Sequence, residues 1–390
     1  MRQVTVVGAS LAGLSAVRAL REQGFDGRLT VVGAEVHLPY DRPPLSKAFL
    51  AGTTDQGELA LLGDADDALD VDWQLGVAAV ALRPSTRQVV LADGRAITGD
   101  GVVLATGARA RRLPELGDLP GVHVLRTLDD ALALRADLRA GGSLVVVGAG
   151  FIGAEVASTA RAMGLQVTIV EAMSTPLAGP LGEQMGAACA GLHADHGVRL
   201  LTGTGVARLL GRHRVSGVEL TDGTVLPADV VLVGVGAEPD VAWLADSGLE
   251  LEGGVVTDAT CATSLPGVVA VGDCARSFDP VAGRHRRIEH WTHALQQPAT
   301  AAATLLGASS APYAALPYFW SEQYGRQLQF AGSREPGDVV TVVEGSTEER
   351  RFVATYERAG RLVAVLGLDA PGPFSRLRRT LRAQHAAMAS

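Results

Sequence analysis

Apolar positions fall into the same pattern twice along the chain. In "VTVVGASLAGLSAVRALREQGFDGRLTVVGAE", residues 4–35, an apolar run at 4–7 ends in a glycine turn, apolar residues then recur at helical intervals, and a second run follows at 29–32. In "LVVVGAGFIGAEVASTARAMGLQVTIVE", residues 144–171, runs at 145–147 and 167–170 frame another such segment. Each stretch predicts a βαβ unit. A hairpin-like stretch and a further strand follow both, "VVLADGRAITGDGVVLATGA" with a strand at 102–105 and "VSGVELTDGTVLPADVVLVGVGAEPD" after the second copy. The recurrence of the whole pattern predicts an internally duplicated domain.

Beyond the duplication, "GVVAVGD" predicts a strand at 268–271, and "RIEHWTHALQQPATAAATLLGA" a helix ending near Leu306. "APYAALPYFWSEQYGRQLQFAG" and "RFVATYERAGRLVAVLGLDAP" alternate in the manner of strands, and "FSRLRRTLRAQHAAMAS" is an amphipathic helix. This tail predicts a third, smaller α+β domain. With 390 residues, 47% of them hydrophobic, the chain can bury two or three cores. A net charge of −8 argues against a general nucleic-acid binder, which needs a basic field to displace counterions. Cys189, Cys261 and Cys274 form no closely spaced pair, so neither a disulfide framework nor a dithiol centre is expected. No leader precedes the first strand and no eighteen-residue apolar run occurs, so the expectation is a soluble, cytoplasmic protein.

The turn after each first strand carries the chemistry. Gly148, Gly150 and Gly153 form G-x-G-x-x-G between strand and helix. There the first glycine permits the turn, the second lets backbone approach a pyrophosphate, and the third lets helix and strand pack closely. Helix N-terminal amides then face the phosphates. Glu171 closes the second strand, where a carboxylate accepts the adenosine ribose hydroxyls, and no Lys or Arg follows in "EAMSTPLAG". A 2′-phosphate beside it would be repelled by about 4 kcal/mol at an intermediate dielectric, so NADH is expected over NADPH. In the first copy, Gly8, Ser10, Ala12 and Gly13 make the loop "GASLAG" with serine at the second glycine position, and Glu35 is the corresponding acid. The near match to a nucleophile elbow fails at Ala12. Both units are thus expected to be Rossmann-like dinucleotide-binding domains in an α/β fold.

Two dinucleotide sites suit an enzyme that retains FAD and receives NADH transiently. With "GASLAG", "LPYDRPPLSKAFLAG", "LATGARARRLP", "VLRTLDDA", "VVGAGFIGAEVA", "GVGAEPD", "VAVGDCAR", "RIEHWTHALQQ" and "PYFWSEQY", the chain resembles the two-dinucleotide-binding, glutathione-reductase-like flavoproteins. Within them it is most similar to the NADH-dependent ferredoxin reductases of bacterial oxygenase and cytochrome P450 systems, the putidaredoxin reductase and biphenyl dioxygenase reductase type. The resemblance implies an FAD domain at 1–108 and 237–309, an NADH domain at 109–236 and a C-terminal domain at 310–390. It implies tightly bound FAD, with NADH as co-substrate and hydride donor.

The resemblance also implies roles for residues. Lys47 would lie near the flavin N5 edge and Glu155 would pair with it and touch the nicotinamide amide. Pro43 and Pro44 would stiffen their loop, Arg42 would contact the nucleotide, Val80 the adenine, Arg126 the FAD phosphates and Asp273 a ribityl hydroxyl. Trp291 would cover the open flavin edge, Phe151 would shield the flavin face, and Gly236 would border the cofactor site. The implied partner is a small acidic ferredoxin, docking near Arg284, Arg286, Arg287 and Arg326, although a solvated hairpin carries the same arginines. A rubredoxin reductase, an NADH-oxidase-like flavoenzyme and a non-turnover NADH-sensing flavoprotein stay open as alternatives, as do monomer and homodimer. Cys189, His193 and His196 share a helix face, which is expected to be packing, and no metal is expected.

Overall fold

The computed structural model describes residues 1–117, 119–308 and 311–389, so the expected 309/310 boundary lies outside the described residues. The first sheet is all parallel, in the order Val268–Ala270, Gly101–Leu104, Gln3–Val7, Arg28–Gly33, Val71–Leu75. Its counterpart runs Arg199–Thr202, Gln166–Glu171, Ser143–Val147, Val230–Val233, Val122–His123, also parallel. Both central strands are Val-rich and buried along nearly their whole length, as strands covered on both faces must be.

The hairpin-like stretches form antiparallel three-stranded sheets beside each parallel one, at Ala79–Arg83, Gln88–Leu91, Ala96–Thr98 and at Val206–Gly211, Val215–Leu220, Val225–Pro227. Where the chain passes between the two units, Ala108–Ala110 pairs antiparallel with Ala237–Pro239, so both crossings are tied into one ribbon.

The helix Leu11–Glu22 covers the first sheet and buries Ala12, Ala16, Val17 and Leu20 in a core shared with Ala301, Ala302 and Leu305 of the helix Trp291–Leu305. That helix carries Pro298 in its interior, which removes one backbone donor without ending it. The C-terminal unit is a five-stranded antiparallel sheet, ordered Tyr318–Gln323, Arg326–Gly332, Arg361–Leu368, Arg351–Arg358, Val339–Ser346. Phe374 and Leu381 of the helix Pro371–Ala389 fill one face. Leu181, Met185, Cys189 and Leu192 of the second unit pack against Phe330, Phe352 and Tyr356 on the other.

The glycine loops owe their shape to close backbone approach. A Cβ on Gly13 would stand 1.8 Å from the Gly8 carbonyl oxygen, and one on Gly153 2.2 Å from that of Gly148. Around Gly150, at φ −74, a Cβ would meet nothing within 4 Å. Gly13→Ala and Gly153→Ala are therefore expected to lower stability by roughly 3 kcal/mol. Gly150→Ala leaves the ligand-free protein within about 0.5 kcal/mol of the parent. Thermal unfolding followed by circular dichroism separates the two outcomes.

Candidate functional site

"RPPLSK" folds as one 3₁₀ turn, Pro43–Ser46, with Pro43 and Pro44 fixing φ at its start, and the short helix Ala48–Ala51 follows directly. Lys47 stands at the junction of the two, where its side chain reaches across to the second unit. Lys47 Nζ donates to Glu155 Oε2 at 2.7 Å, to the Pro43 carbonyl at 2.8 Å and to Ser46 Oγ at 3.3 Å. Ser46 Oγ donates to the same Oε2 at 2.5 Å. The other oxygen, Oε1, accepts from Ser321 Oγ at 2.7 Å and the Glu322 amide at 3.4 Å. Glu155 is 3% exposed, so its charge is compensated from inside the protein, by an ammonium and by donors on both carboxylate oxygens. Thr159 Oγ1 donates to the Ser46 carbonyl at 2.8 Å and fixes that loop to the helix Phe151–Ala162.

A helix N-terminus follows each of the two glycine loops. Neither Ser10, before Leu11–Glu22, nor Gly150, before Phe151–Ala162, caps its helix through a side chain, and neither first turn carries an acidic residue. Both ends can therefore receive an anion at their amides. Ser10 Oγ accepts from Arg42 Nε at 3.2 Å, which aims the arginine at the first loop. Arg42 also donates to Glu35 Oε1 at 2.6 Å and to the Arg126 carbonyl at 2.7 Å. Tyr40 donates to the other Glu35 oxygen and accepts from the Leu128 amide, and burial pushes its phenol pKa up. Arg126 Nη2 pairs with Asp273 Oδ2 at 2.7 Å, and its Nε donates to the Ala108 carbonyl. In the second unit, Glu171 accepts from the Ala149 and Met173 amides, both at 2.8 Å, so the acid is held against its own glycine loop.

The remaining expected residues sit as follows. Val80 is half exposed on the edge strand Ala79–Arg83. Ala12 is buried in the first helical turn, and Gly236, at φ +102, has open space where a Cβ would be. Trp291 Nε1 donates to Asp41 Oδ1 at 2.8 Å, and the ring meets Trp320 edge-on, centroids 6.0 Å apart. Phe151 lies against Phe319 at 4.9 Å. Ser321 and His290 carry no signal of their own along the sequence, although they lie inside "PYFWSEQY" and "RIEHWTHALQQ". His290 stands 5.1 Å from Phe319, and its Nδ1 is buried with no hydrogen-bond partner among the described residues.

The four arginines expected at a docking rim are each paired with a carboxylate. Arg284 meets Glu335 at 2.5 Å, Arg286 meets Asp279 at 3.0 Å, Arg287 meets Glu289, and Arg326 meets Asp369 at 2.5 Å. Arg286 also donates to Ser333 Oγ, just past the end of the strand Arg326–Gly332, so Arg326 stands at that strand's far end. All three cysteines are free and buried, and burial pushes the Cys189 and Cys261 thiols up to about 12. His193 Nδ1 lies 2.7 Å from the Tyr324 hydroxyl, and His196 stacks on the Tyr324 ring. No helix among the described residues is long and apolar enough to cross a membrane.

Open space at Gly150, two uncapped helix ends and paired acids at both loops fit two dinucleotides. Comparison with known proteins agrees. Residues 318–390 match the family described as "Reductase C-terminal". The chain is 39% identical over 381 residues to rhodocoxin reductase of Rhodococcus erythropolis, covering 97% of this chain and 89% of that one. It is 41% identical over 375 residues to the biphenyl dioxygenase system ferredoxin–NAD(+) reductase component of Paraburkholderia xenovorans (strain LB400), covering 95% and 91%. The crystal structure of the covalent putidaredoxin reductase–putidaredoxin complex superposes with a TM-score of 0.93 at 35% identity, covering 98% of this chain and 93% of that one. With residues 2–298 matching the family described as "Pyridine nucleotide-disulphide oxidoreductase", the chain belongs to that family.

Proposed function

We propose that the protein is an FAD-dependent NADH:ferredoxin oxidoreductase supplying electrons to an oxygenase or cytochrome P450. The observation that carries this reading is the buried Lys47–Glu155 pair. It joins the loop that aims Arg42 at the first glycine turn to the helix that starts at the second. FAD, when bound, supplies the exchange between hydride and single-electron chemistry. The chain's own residues bind and orient. Gly8, Ser10, Ala12 and Gly13 would receive the FAD pyrophosphate together with Arg42 and Arg126, Pro44 would stiffen the loop against the flavin, Asp273 would accept a ribityl hydroxyl, Glu35 would lie at the ribose and Val80 at the adenine. Gly148, Gly150, Gly153 and Glu171 receive NADH, with Gly236 at the border. With FAD bound, Lys47 would stabilise negative charge arriving at the ring, Glu155 holds the ammonium in place, and Phe151 and Trp291 would exclude water from its face and its open edge. Domains at 1–108 with 237–309, 109–236 and 310–390 fit this division of labour.

A dithiol mechanism has no thiol to use, because Ser46 takes the place beside Lys47 and spends its hydroxyl on Glu155. Docking of an acidic ferredoxin at Arg284, Arg286, Arg287 and Arg326 requires its carboxylates to exchange with Glu335, Asp279, Glu289 and Asp369. Such a rim steers the encounter and adds little to affinity.

The purified protein is expected to be yellow, to bleach with NADH under anaerobic conditions, and to reduce cytochrome c rapidly only when a ferredoxin is added. A colourless protein that takes up no FAD refutes the proposal, and an NADH-sensing role follows if bleaching occurs without turnover. Lys47→Met leaves Glu155 buried without its cation and should cost about 3 kcal/mol of stability. Adding Glu155→Gln restores most of that stability while NADH oxidation stays depressed, which unfolding curves and stopped-flow reduction report separately. Glu171→Ala is expected to raise the KM for NADH about tenfold and to narrow the preference over NADPH. Arg284→Glu, at an exposed pair, should raise the KM for ferredoxin about threefold, with ferricyanide reduction retained.

A further inference from the structure

We propose that His290 is a binding residue for the FAD ring system, acting through its Nδ1 atom on the polar edge of the isoalloxazine. The inference rests on the reading above that FAD occupies the first dinucleotide site. His290 is the last residue before the helix Trp291–Leu305, and its carbonyl accepts from the His293 and Ala294 amides, both at 3.0 Å. Its ring therefore starts from a fixed backbone. Phe319 holds the ring from the side at 5.1 Å, and Phe319 is itself seated on Phe330 at 5.3 Å and against Phe151 at 4.9 Å. An imidazole placed this firmly presents its nitrogen in one direction.

That nitrogen has no partner among the described residues. The charged groups that act on the ring are already committed, and so is the indole of the next residue. Asp273 pairs with Arg126, Arg286 with Asp279 and Ser333, and the Trp291 indole with Asp41. The His290 side chain does not cap the helix that follows it either. Buried polar atoms in native proteins find partners, and an atom left over beside a ligand site is placed to find one in the ligand.

The chemistry of the ring narrows what that ligand group is. Burial, with Arg286 nearby, pushes the His290 pKa down to about 4 against the opposing pull of Asp273. At neutral pH the imidazole thus carries one N–H and one lone pair and no charge. A neutral ring is poorly matched to a phosphate and well matched to an uncharged edge of carbonyl and imide groups, which the flavin pyrimidine ring offers. Asp273, assigned to FAD in the reading above, is close enough to act on the His290 ring. Trp291, likewise assigned, is its neighbour in sequence, which favours FAD over the nicotinamide.

The test uses three variants of the full chain, stripped of flavin and titrated with FAD by fluorescence quenching. Asn places a carboxamide where Nδ1 lies, Gln places one where Nε2 lies, and Phe keeps the ring's volume without a polar atom. His290→Phe and His290→Gln are expected to raise the Kd for FAD about tenfold, and His290→Asn to stay within about threefold of the parent. The apoprotein of His290→Phe should melt no lower than the parent, since the unsatisfied nitrogen is gone. Equal FAD affinity for His290→Phe and parent would overturn the inference while leaving the FAD reading intact. So would an effect confined to the KM for NADH, or a loss in His290→Asn as large as in His290→Phe. A parent that binds no FAD would overturn both.

Discussion

Burial of one carboxylate organises the site. Glu155 has almost no solvent to turn to, and an ion in that position is tolerated only when a countercharge and hydrogen bonds surround it. No single unit supplies enough of them. Lys47 and Ser46 come from the first unit, Glu155 from the second, and Ser321 with the Glu322 amide from the C-terminal sheet. Any separation of the three units would strand at least one of these groups. The geometry at Lys47 is therefore set by the assembly of the whole chain, and its loop is stiffened locally by Pro43 and Pro44.

The two glycine loops show which of their positions the protein's own packing fixes and which it leaves open. Gly8 and Gly148 have φ near +120 and +101, and a Cβ on either would sit within 2.4 Å of a backbone carbonyl of the neighbouring strand end. Gly13 and Gly153 are pinned by the carbonyls of Gly8 and Gly148. The middle positions differ. Ser10 has φ −122 and Gly150 φ −74, both open to any residue, and nothing in the protein crowds Gly150. Serine in the first loop thus carries no backbone strain, and its hydroxyl gains a role by accepting from Arg42.

The duplicated units were legible because strand, turn and helix lie within one short stretch, where apolar period and glycine spacing act together. The pairing of Lys47 with Glu155 was reached only through resemblance, since nothing local joins a proline-rich loop to a distant helix. Charge was the least legible property. Arg284 and Arg326 read as docking or solvated cations along the sequence, yet Glu335, in the connection after Arg326–Gly332, and Asp369, just past Arg361–Leu368, meet them once the chain is folded. Ser321 and His290 escaped for the same reason. Neither residue type signals a site by itself, and their partners, a carboxylate and an aromatic ring, arrive from other units.

The strand Tyr318–Gln323 shows how the C-terminal sheet enters the site. Alternate residues of a strand point to opposite faces. Phe319 and Ser321 share one face, and they reach Phe151, His290 and Glu155. Tyr318 and Trp320 share the other, where they stack on each other and meet Phe374 and Trp291. A register slip of one residue against Arg326–Gly332 would exchange the two sets, placing aromatic rings at the carboxylate and a hydroxyl among the rings. Register is held by six cross-strand pairs from Tyr318↔Ala331 to Gln323↔Arg326 and by Phe319 directly opposite Phe330. The C-terminal sheet therefore does more than cover the second unit: its register decides whether the second oxygen of Glu155 receives the Ser321 hydroxyl.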